Sequence, residues 1–417
     1  MKRVTIITVL GVLFSLFSCS AVFAGGYEIY EHGAVAVGMA GAWTASAKGA
    51  FAVFYNPAGI VGSEGLELGL GTALIKPSGS YTTATGTVTD QESQLYYPSH
   101  FYVTYPVHEK ITAGFGFFTP FGLGTEWPAE WRGRYRAIKT DLKTFYLNPV
   151  VAFELTPNMS LGVGFDYILS SVELTQKIPV VHPIYGYLGD AGFEMTGDGS
   201  AASFNFGFLA KAGDKASFAV TYRHSADIEY DGDATYTVPN PAVKPLFVDS
   251  SGSAEIHMPK FLTIGVAFKP AEKFTLETDI DWYGWSGAKE IPLHIDKAPG
   301  NPSVPYNTAM PQDYDDSWLW RIGTEYKLSE AVALRGGYIY DPSPVPDETL
   351  DPTLPDANRH DVALGVGFTK GKATFDFAYL LVMFGDRKSE NLHMPELLGG
   401  TYSTTAHLFN LSFGYKF

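Results

Sequence analysis

The sequence predicts an all-β membrane protein: a 14-stranded antiparallel transmembrane β-barrel with an N-terminal hatch (plug) segment in its lumen. Three observations carry that reading. Segments of period-two alternation recur along the chain, separated in turn by tight turns and by long loops. No stretch after residue 24 approaches the ~20 consecutive apolar residues of a membrane-spanning helix. The chain closes on an aromatic residue, Phe417, at the end of its clearest alternating segment, and opens on an export-signal pattern.

Residues 1–24 read as a signal peptide. Lys2 and Arg3 form a basic start, Val4 to Phe17 an apolar run, and Val22-Phe23-Ala24 a small-residue site with cleavage after Ala24. A rival reading takes Leu16-Phe17-Ser18-Cys19 as a lipobox with Cys19 lipidated, although Phe17 stands where a small or β-branched residue is usual. Cys19 is the single cysteine of the 417 residues, so cleavage after Ala24 leaves no disulfide, thiol nucleophile or cysteine metal site. Residues 25–65 follow, rich in Gly and Ala and without alternation. Small residues suit packing in a confined space, and Trp43, Phe51, Phe54 and Tyr55 argue against disorder. This segment is expected to fold back into the lumen as a plug.

The barrel is expected over 66–417. Its last strand shows the principle: Phe409, Leu411, Phe413, Tyr415 and Phe417 face one way, Asn410, Ser412, Gly414 and Lys416 the other. In a barrel the apolar face meets lipid and the polar face lines the lumen. Similar segments stand near 66–75, 97–106, 111–119, 143–155, 159–174, 200–212, 216–229, 255–269, 274–286, 317–328, 332–340, 361–369 and 373–384, with 406–417 last. Thr156-Pro157-Asn158, Gly213-Asp214-Lys215 and Lys370-Gly371-Lys372 read as tight turns. The joins 120–142, 175–199, 230–254, 287–316, 341–360 and 385–405 read as long outer loops. Closure follows from physics, because each backbone polar group left unpaired in hydrocarbon costs on the order of several kcal/mol.

Composition narrows function. The formal net charge is −15, and loss of Lys2 and Arg3 takes it to −17, which disfavours nucleic acid as a partner. No G-x-S-x-G, P-loop or H-E-x-x-H pattern occurs, and His257, His360 and His407 are isolated in sequence, fitting rim or lumen positions better than metal ligation. No catalytic residue, metal or cofactor is assigned. The aromatic-ended last strand predicts recognition by the barrel-assembly machinery of a Gram-negative outer membrane, with lipid and lipopolysaccharide as surroundings.

The segment FAVFYNPAGI, with Asn56-Pro57-Ala58, resembles the hatch of the FadL/TodX family of outer-membrane transporters for long-chain fatty acids and aromatic hydrocarbons. Further stretches follow in the family's order: TPFGLGTEW (119–127), RYRAIKTDLKTFYLNPVVAF (134–153), MPKFLTIGVAFKP (258–270), SWLWRIGTEYKLSEAVALRGGYIYDPSPVP (317–346) and LPDANRHDVALGVGF (354–368). The resemblance covers nearly the whole mature chain. It implies passive transport of hydrophobic compounds through a plugged barrel, with lateral exit at a kinked third strand. It places the kink at Pro120, Phe121 and Gly122, and Asn56-Pro57-Ala58 as the hatch element against it. Pro120 lacks an N–H and Gly122 tolerates unusual dihedrals, so a kink costs less there.

Apolar and aromatic residues of the loops, Phe121, Leu123, Trp127 and Trp131 with Ile184, Tyr185 and Tyr187, are candidates for substrate capture or for anchors at the membrane surface. Arg132, Arg134 and Arg136 could hold a carboxylate head group or lipopolysaccharide phosphates. The alternatives to transport are a structural or adhesive protein binding a surface partner through its long loops, and a lipid-modifying barrel enzyme.

Overall fold

In a computed structural model, residues 25–391, 394 and 398–417 are described; the expected signal segment 1–24 lies outside them. The chain forms a closed 14-strand antiparallel barrel. The strands are β1 (Glu67–Thr83), β2 (Ser99–His108), β3 (Ile111–Phe118, resuming as Gly122–Glu126), β4 (Lys139–Thr156), β5 (Met159–His182) and β6 (Gly186–Ala212). They continue as β7 (Ala216–Arg223, then Ala226–Thr237), β8 (Ser250–Met258, then Phe261–Ala271), β9 (Phe274–Tyr283) and β10 (Ser317–Lys327). The last four are β11 (Val332–Asp341), β12 (Arg359–Lys370), β13 (Ala373–Phe384) and β14 (Gly400–Lys416). Each pairs with its neighbour in sequence, and β14 returns to β1 along a register from Glu67↔Lys416 to Thr83↔Gly400. That last ladder leaves no open edge.

The alternation sorts side chains by solvent. On β4, Leu142, Thr144, Tyr146, Asn148, Val150 and Ala152 are buried, while Phe145, Val151 and Phe153 face outward. On β14, Asn410 and Ser412 are buried between exposed Phe409 and Leu411. Three outward histidines pair with a tyrosine on the same outer face: Tyr338 with His360, Tyr379 with His407 and Tyr222 with His224. The rim reading therefore fits His360 and His407, while His257 bonds Asp227.

Several joins differ from the sequence reading. The expected loop 175–199 is mostly strand: β5 runs to His182 and β6 starts at Gly186, so Ile184 and Tyr185 form a hairpin tip. Beyond the membrane neither face needs to be apolar, so the alternation that marks a strand fades there. The segments 216–229 and 255–269 cross breaks at His224-Ser225 and Pro259-Lys260. The join 341–360 is not an outer loop in water: apart from Asp347, Glu348, Asn358 and the outward His360 of β12 it is largely buried and folds inward as a strap.

Residues 25–60 are largely buried and bonded to inward-facing side chains of the strands, while 61–65 are partly exposed. A short helix α1 (Ala34–Gly38) lies against β12 and β13. Ser412 Oγ on β14 accepts from Ala34 N–H at 2.7 Å, and Asn410 donates to Glu31 O at 2.8 Å. Asp279 Oδ2 on β9 accepts from Trp43 N–H and Thr44 N–H at 3.1 and 3.0 Å. Glu277 accepts from Ala45 N–H, Ser46 N–H and Ser46 Oγ–H. These donors belong to a non-repetitive stretch that cannot satisfy itself, so the wall supplies acceptors. Glycines bring the backbones together: a Cβ on Gly365 would stand 2.8 Å from Gly38 Cα.

Candidate functional site: a break in the wall beneath an apolar lumen

The third strand is interrupted at Thr119-Pro120-Phe121. Phe118 pairs with Tyr146 and Gly122 with Lys143, so three residues on β3 oppose two on β4, the count of a bulge. Thr144 Oγ donates to Phe121 O at 2.6 Å and steadies it. On the other side the β2–β3 ladder runs to Phe101↔Phe117. Beyond it the partner is the N-terminal segment: Ile29 N–H donates to Pro120 O at 2.8 Å and Gly122 N–H to Tyr27 O at 2.9 Å. Residues 27–29 thus stand where a wall strand would be. Pro120 has no N–H to strand, which makes it fit for this position.

Phe121 turns into the lumen, its ring 6.2 Å from Tyr27, 6.3 Å from Trp285 and 6.3 Å from Tyr146. The lumen changes character along its length. Inward residues near the tight-turn end are polar or small: Asp166 on β5, Thr221 and Arg223 on β7, Asp376 on β13, Asn410 and Ser412 on β14. Nearer the loop end the same strands present Ile168, Val172, Ile228, Tyr230, Leu380, Val382 and Leu408. Between the two zones Arg223 meets Asp166 at 2.5 Å, and Arg321 meets Asp281 at 2.7 Å and Glu28 at 3.8 Å. Burial raises the carboxyls of the docked segment: Glu28 to about 8, against Arg321 and a hydrogen bond from Tyr283, and Glu31 to about 7. Burial pushes His32 in the same segment well below the usual imidazole range.

The strap between β11 and β12 covers the loop end. Trp127 Nε1–H donates to Pro352 O at 3.1 Å, and Trp127 stacks on Trp131 with ring centroids 4.4 Å apart. Arg387 donates to Ser343 Oγ and to the carbonyls of Val345 and Asp356.

The predicted site residues therefore divide. Phe121, Trp127 and Trp131 are buried, at 1%, 1% and 4% exposure, and Leu123 is half-buried, so these four do not form an open capture surface. Tyr185 is 75% exposed on the distant hairpin tip. Arg134 is engaged by Asp190 at 3.0 Å, and Arg136 by Asp351 with its Nε 2.6 Å away; Arg132 is exposed. Asn56-Pro57-Ala58 packs against β5 and β6 rather than against the break: a Cβ on Gly162 would stand 2.6 Å from Ala58 N, and Ser160 Oγ donates to Ala58 O at 2.9 Å. Asn56 holds the corner by accepting from Ala58 N–H and donating to Thr44 O, each at 3.0 Å. Sequence reasoning missed Tyr27–Ile29 and the strap. The run Glu277-Thr278-Asp279-Ile280-Asp281, three carboxyls on the inward face of one strand, was the signal for the polar anchors.

A transmembrane barrel whose N-terminal segment is bonded into its lumen and across a gap in its wall is built as a closed outer-membrane channel. A family model described as outer membrane protein transport protein (OMPP1/FadL/TodX) matches residues 15–417, and the chain belongs to that family. It is 22% identical to the long-chain fatty acid transport protein of Escherichia coli K12 over 98% of both chains. Among solved structures it is similar to a Pseudomonas aeruginosa FadL homologue, with a TM-score of 0.82, 19% identity, and 95% of this chain and 100% of that one covered. It is also similar to the P. putida toluene transporter TodX, with a TM-score of 0.76, 17% identity, and 94% and 99% covered.

Proposed function

We propose that the protein carries hydrophobic molecules, long-chain fatty acids or aromatic hydrocarbons, passively across the outer membrane and releases them sideways through the break in β3. The observation that carries this reading is the pairing of Tyr27–Ile29 with Pro120 and Gly122, beside the lumen aromatics Phe121, Tyr146 and Trp285. A wall gap closed by a movable strand-like segment, rather than by the wall itself, can open without unfolding the barrel. An apolar solute prefers such a route, since each buried methylene is worth about 0.8 kcal/mol. Ile184 and Tyr185 at the exposed tip are first contacts for solute or lipopolysaccharide, and exposed Phe417 is the mark for assembly. No catalytic step belongs to this reading.

The test is uptake of a labelled long-chain fatty acid and of labelled toluene by a host lacking its own transporter. The native chain restores uptake of at least one solute. Deleting Phe121 restores a two-against-two register and closes the wall, and Pro120→Thr with Gly122→Val removes the two residues whose backbone chemistry suits an interrupted ladder. Both variants lose uptake while remaining folded barrels. Native-level uptake through both variants refutes the lateral route.

A further inference from the structure

We infer that the outer wall carries a site for a phosphorylated, multiply acylated glycolipid of the outer leaflet. Lys76 and His407 take a phosphate at the membrane surface, and a groove below them on the seam between β14 and β1 takes an acyl chain. The inference stands apart from the transport reading, because it uses the lipid-facing side of the wall and no residue of the N-terminal segment.

Lys76 on β1 and His407 on β14 are directly opposed across the seam, and both are exposed. They mark an edge of the apolar band. Toward the tight turns the outward residues of these two strands are Leu74 and Leu70 with Phe409 and Leu411; toward the loop end they are Ser78 with Thr405. Long loops face outward in a barrel of this kind, so that edge lies at the outer leaflet's head groups. Among the described residues no carboxylate pairs with Lys76. Tyr379 Oη lies 2.7 Å from His407 Nδ1. With the phenol as donor, the imidazole proton sits on Nε2, free for a partner beyond the pair. A lysine ammonium and an N–H donor side by side match a phosphate monoester.

A shallow groove of about 490 Å³ opens on the same seam, between Leu70 and Thr72 of β1, Leu411 and Phe413 of β14, and Phe375 and Phe377 of β13. Thr72 and Leu70 stand about 13 and 20 Å along the strand from Lys76. At a strand tilt of about 45° that is about 9–14 Å beneath the surface, within the ~15 Å of hydrocarbon that one leaflet supplies. An acyl chain hung from a head group at Lys76 and His407 therefore reaches the groove. Charge above and apolar relief below lie on one line, at the spacing of a single lipid.

The experiment is a titration of the purified, delipidated barrel in detergent with bisphosphorylated lipid A, with bound lipid counted by native mass spectrometry. Folding of each variant is checked by its heat-dependent shift in gel migration. Dephosphorylated lipid A binds at least about tenfold more weakly, because the charge-assisted bonds are gone. Lys76→Gln with His407→Gln gives the same loss for the bisphosphorylated lipid and leaves binding of the dephosphorylated one unchanged. Thr72→Phe fills the groove and weakens both lipids with the phosphate contacts intact. The control is Lys260→Gln, since Lys260 also caps outward apolar residues, Leu262 and Ile264 of β8, and lies 5.6 Å from the Trp282 ring centroid. That variant binds as the native chain does. Native-level binding by either seam variant, equal binding of the two lipid A forms, an equal loss from Lys260→Gln, or displacement of lipid A by an equal amount of phosphatidylglycerol overturns the inference.

Discussion

Replacing Asp279 by alanine removes the acceptor that holds Trp43 N–H and Thr44 N–H to the wall. Asp279 is fully buried, and both donors lie in a stretch with no helix or sheet to take them up. A buried N–H left without an acceptor costs about 1–3 kcal/mol. The carboxyl vacates room for a water, so the low end applies, about 2 kcal/mol for the pair. At about 1.4 kcal/mol per factor of ten, local opening of residues 41–47 rises roughly thirtyfold. Hydrogen exchange at the amides of Trp43 and Thr44 reads this directly. Asp279→Asn keeps one acceptor oxygen and gives a smaller rise, because only the charge-assisted part of the bonds is lost. The reasoning fails if exchange at both amides is unchanged in the alanine variant. It fails equally if the amides of β9 and β10 accelerate as much as those of the segment, because the wall rather than the anchor would then have yielded.

Asn56→Ala strips the corner of its two 3.0 Å bonds, at about 1 kcal/mol each, and exchange at Ala58 accelerates while β5 and β6 stay protected. Trp127→Ala removes the bond to Pro352 and the stack on Trp131, lowering the cost of lifting the strap by about 3 kcal/mol; faster protease cleavage within 342–358 is the readout. Docking of residues 27–33 is strongest near the free carboxylate value of 4.5, because above it the loss from two carboxyls outweighs the gain from one histidine. Glu28 and Glu31 have raised folded pKa values, about 8 and about 7, so their contribution is full below the free carboxylate range and is lost as pH climbs through those values. His32 has a depressed folded pKa, so its contribution holds above the free imidazole value of 6.5 and is lost as pH falls. Exchange in this segment therefore rises on both sides of the optimum, and Glu28→Gln flattens the alkaline limb from the free value of 4.5 up to about pH 8.

The barrel was legible because lipid enforces a two-sided code: Phe409 and Leu411 against Asn410 and Ser412 admit one reading. The break in β3 was legible through Pro120 and Gly122, whose backbone chemistry suits an interrupted ladder. The partner at that break was not. Gly26-Tyr27-Glu28-Ile29 has no period and no turn signature, and its pairing to residues 90 positions away depends on the closed barrel already existing. The strap was hidden for the opposite reason. Its prolines and aspartates are the composition of an outer loop, yet Asp351 and Asp356 are buried because Arg136 and a backbone N–H of the chain end meet them. Arg134 and Arg136 were candidates for a free carboxylate only while their partners at Asp190 and Asp351 were out of sight.

The contacts of the N-terminal segment are uneven, and the unevenness orders its motion. Residues 34–60 are held by Ser412, Asp279 and Glu277 and seated on wall glycines. Residues 27–29 are held to the interrupted strand by two backbone hydrogen bonds, about 1 kcal/mol each, and to the lumen by Tyr27 Oη–H donating to His257 O, Tyr283 Oη–H donating to Glu28, and Arg321 3.8 Å from Glu28. Burial of the Tyr27 side chain adds about 2–3 kcal/mol. On the proposed lateral route these ties are the ones a solute entering the lumen must release, while the deeper anchors at Ser412, Asp279 and Glu277 can stay in place.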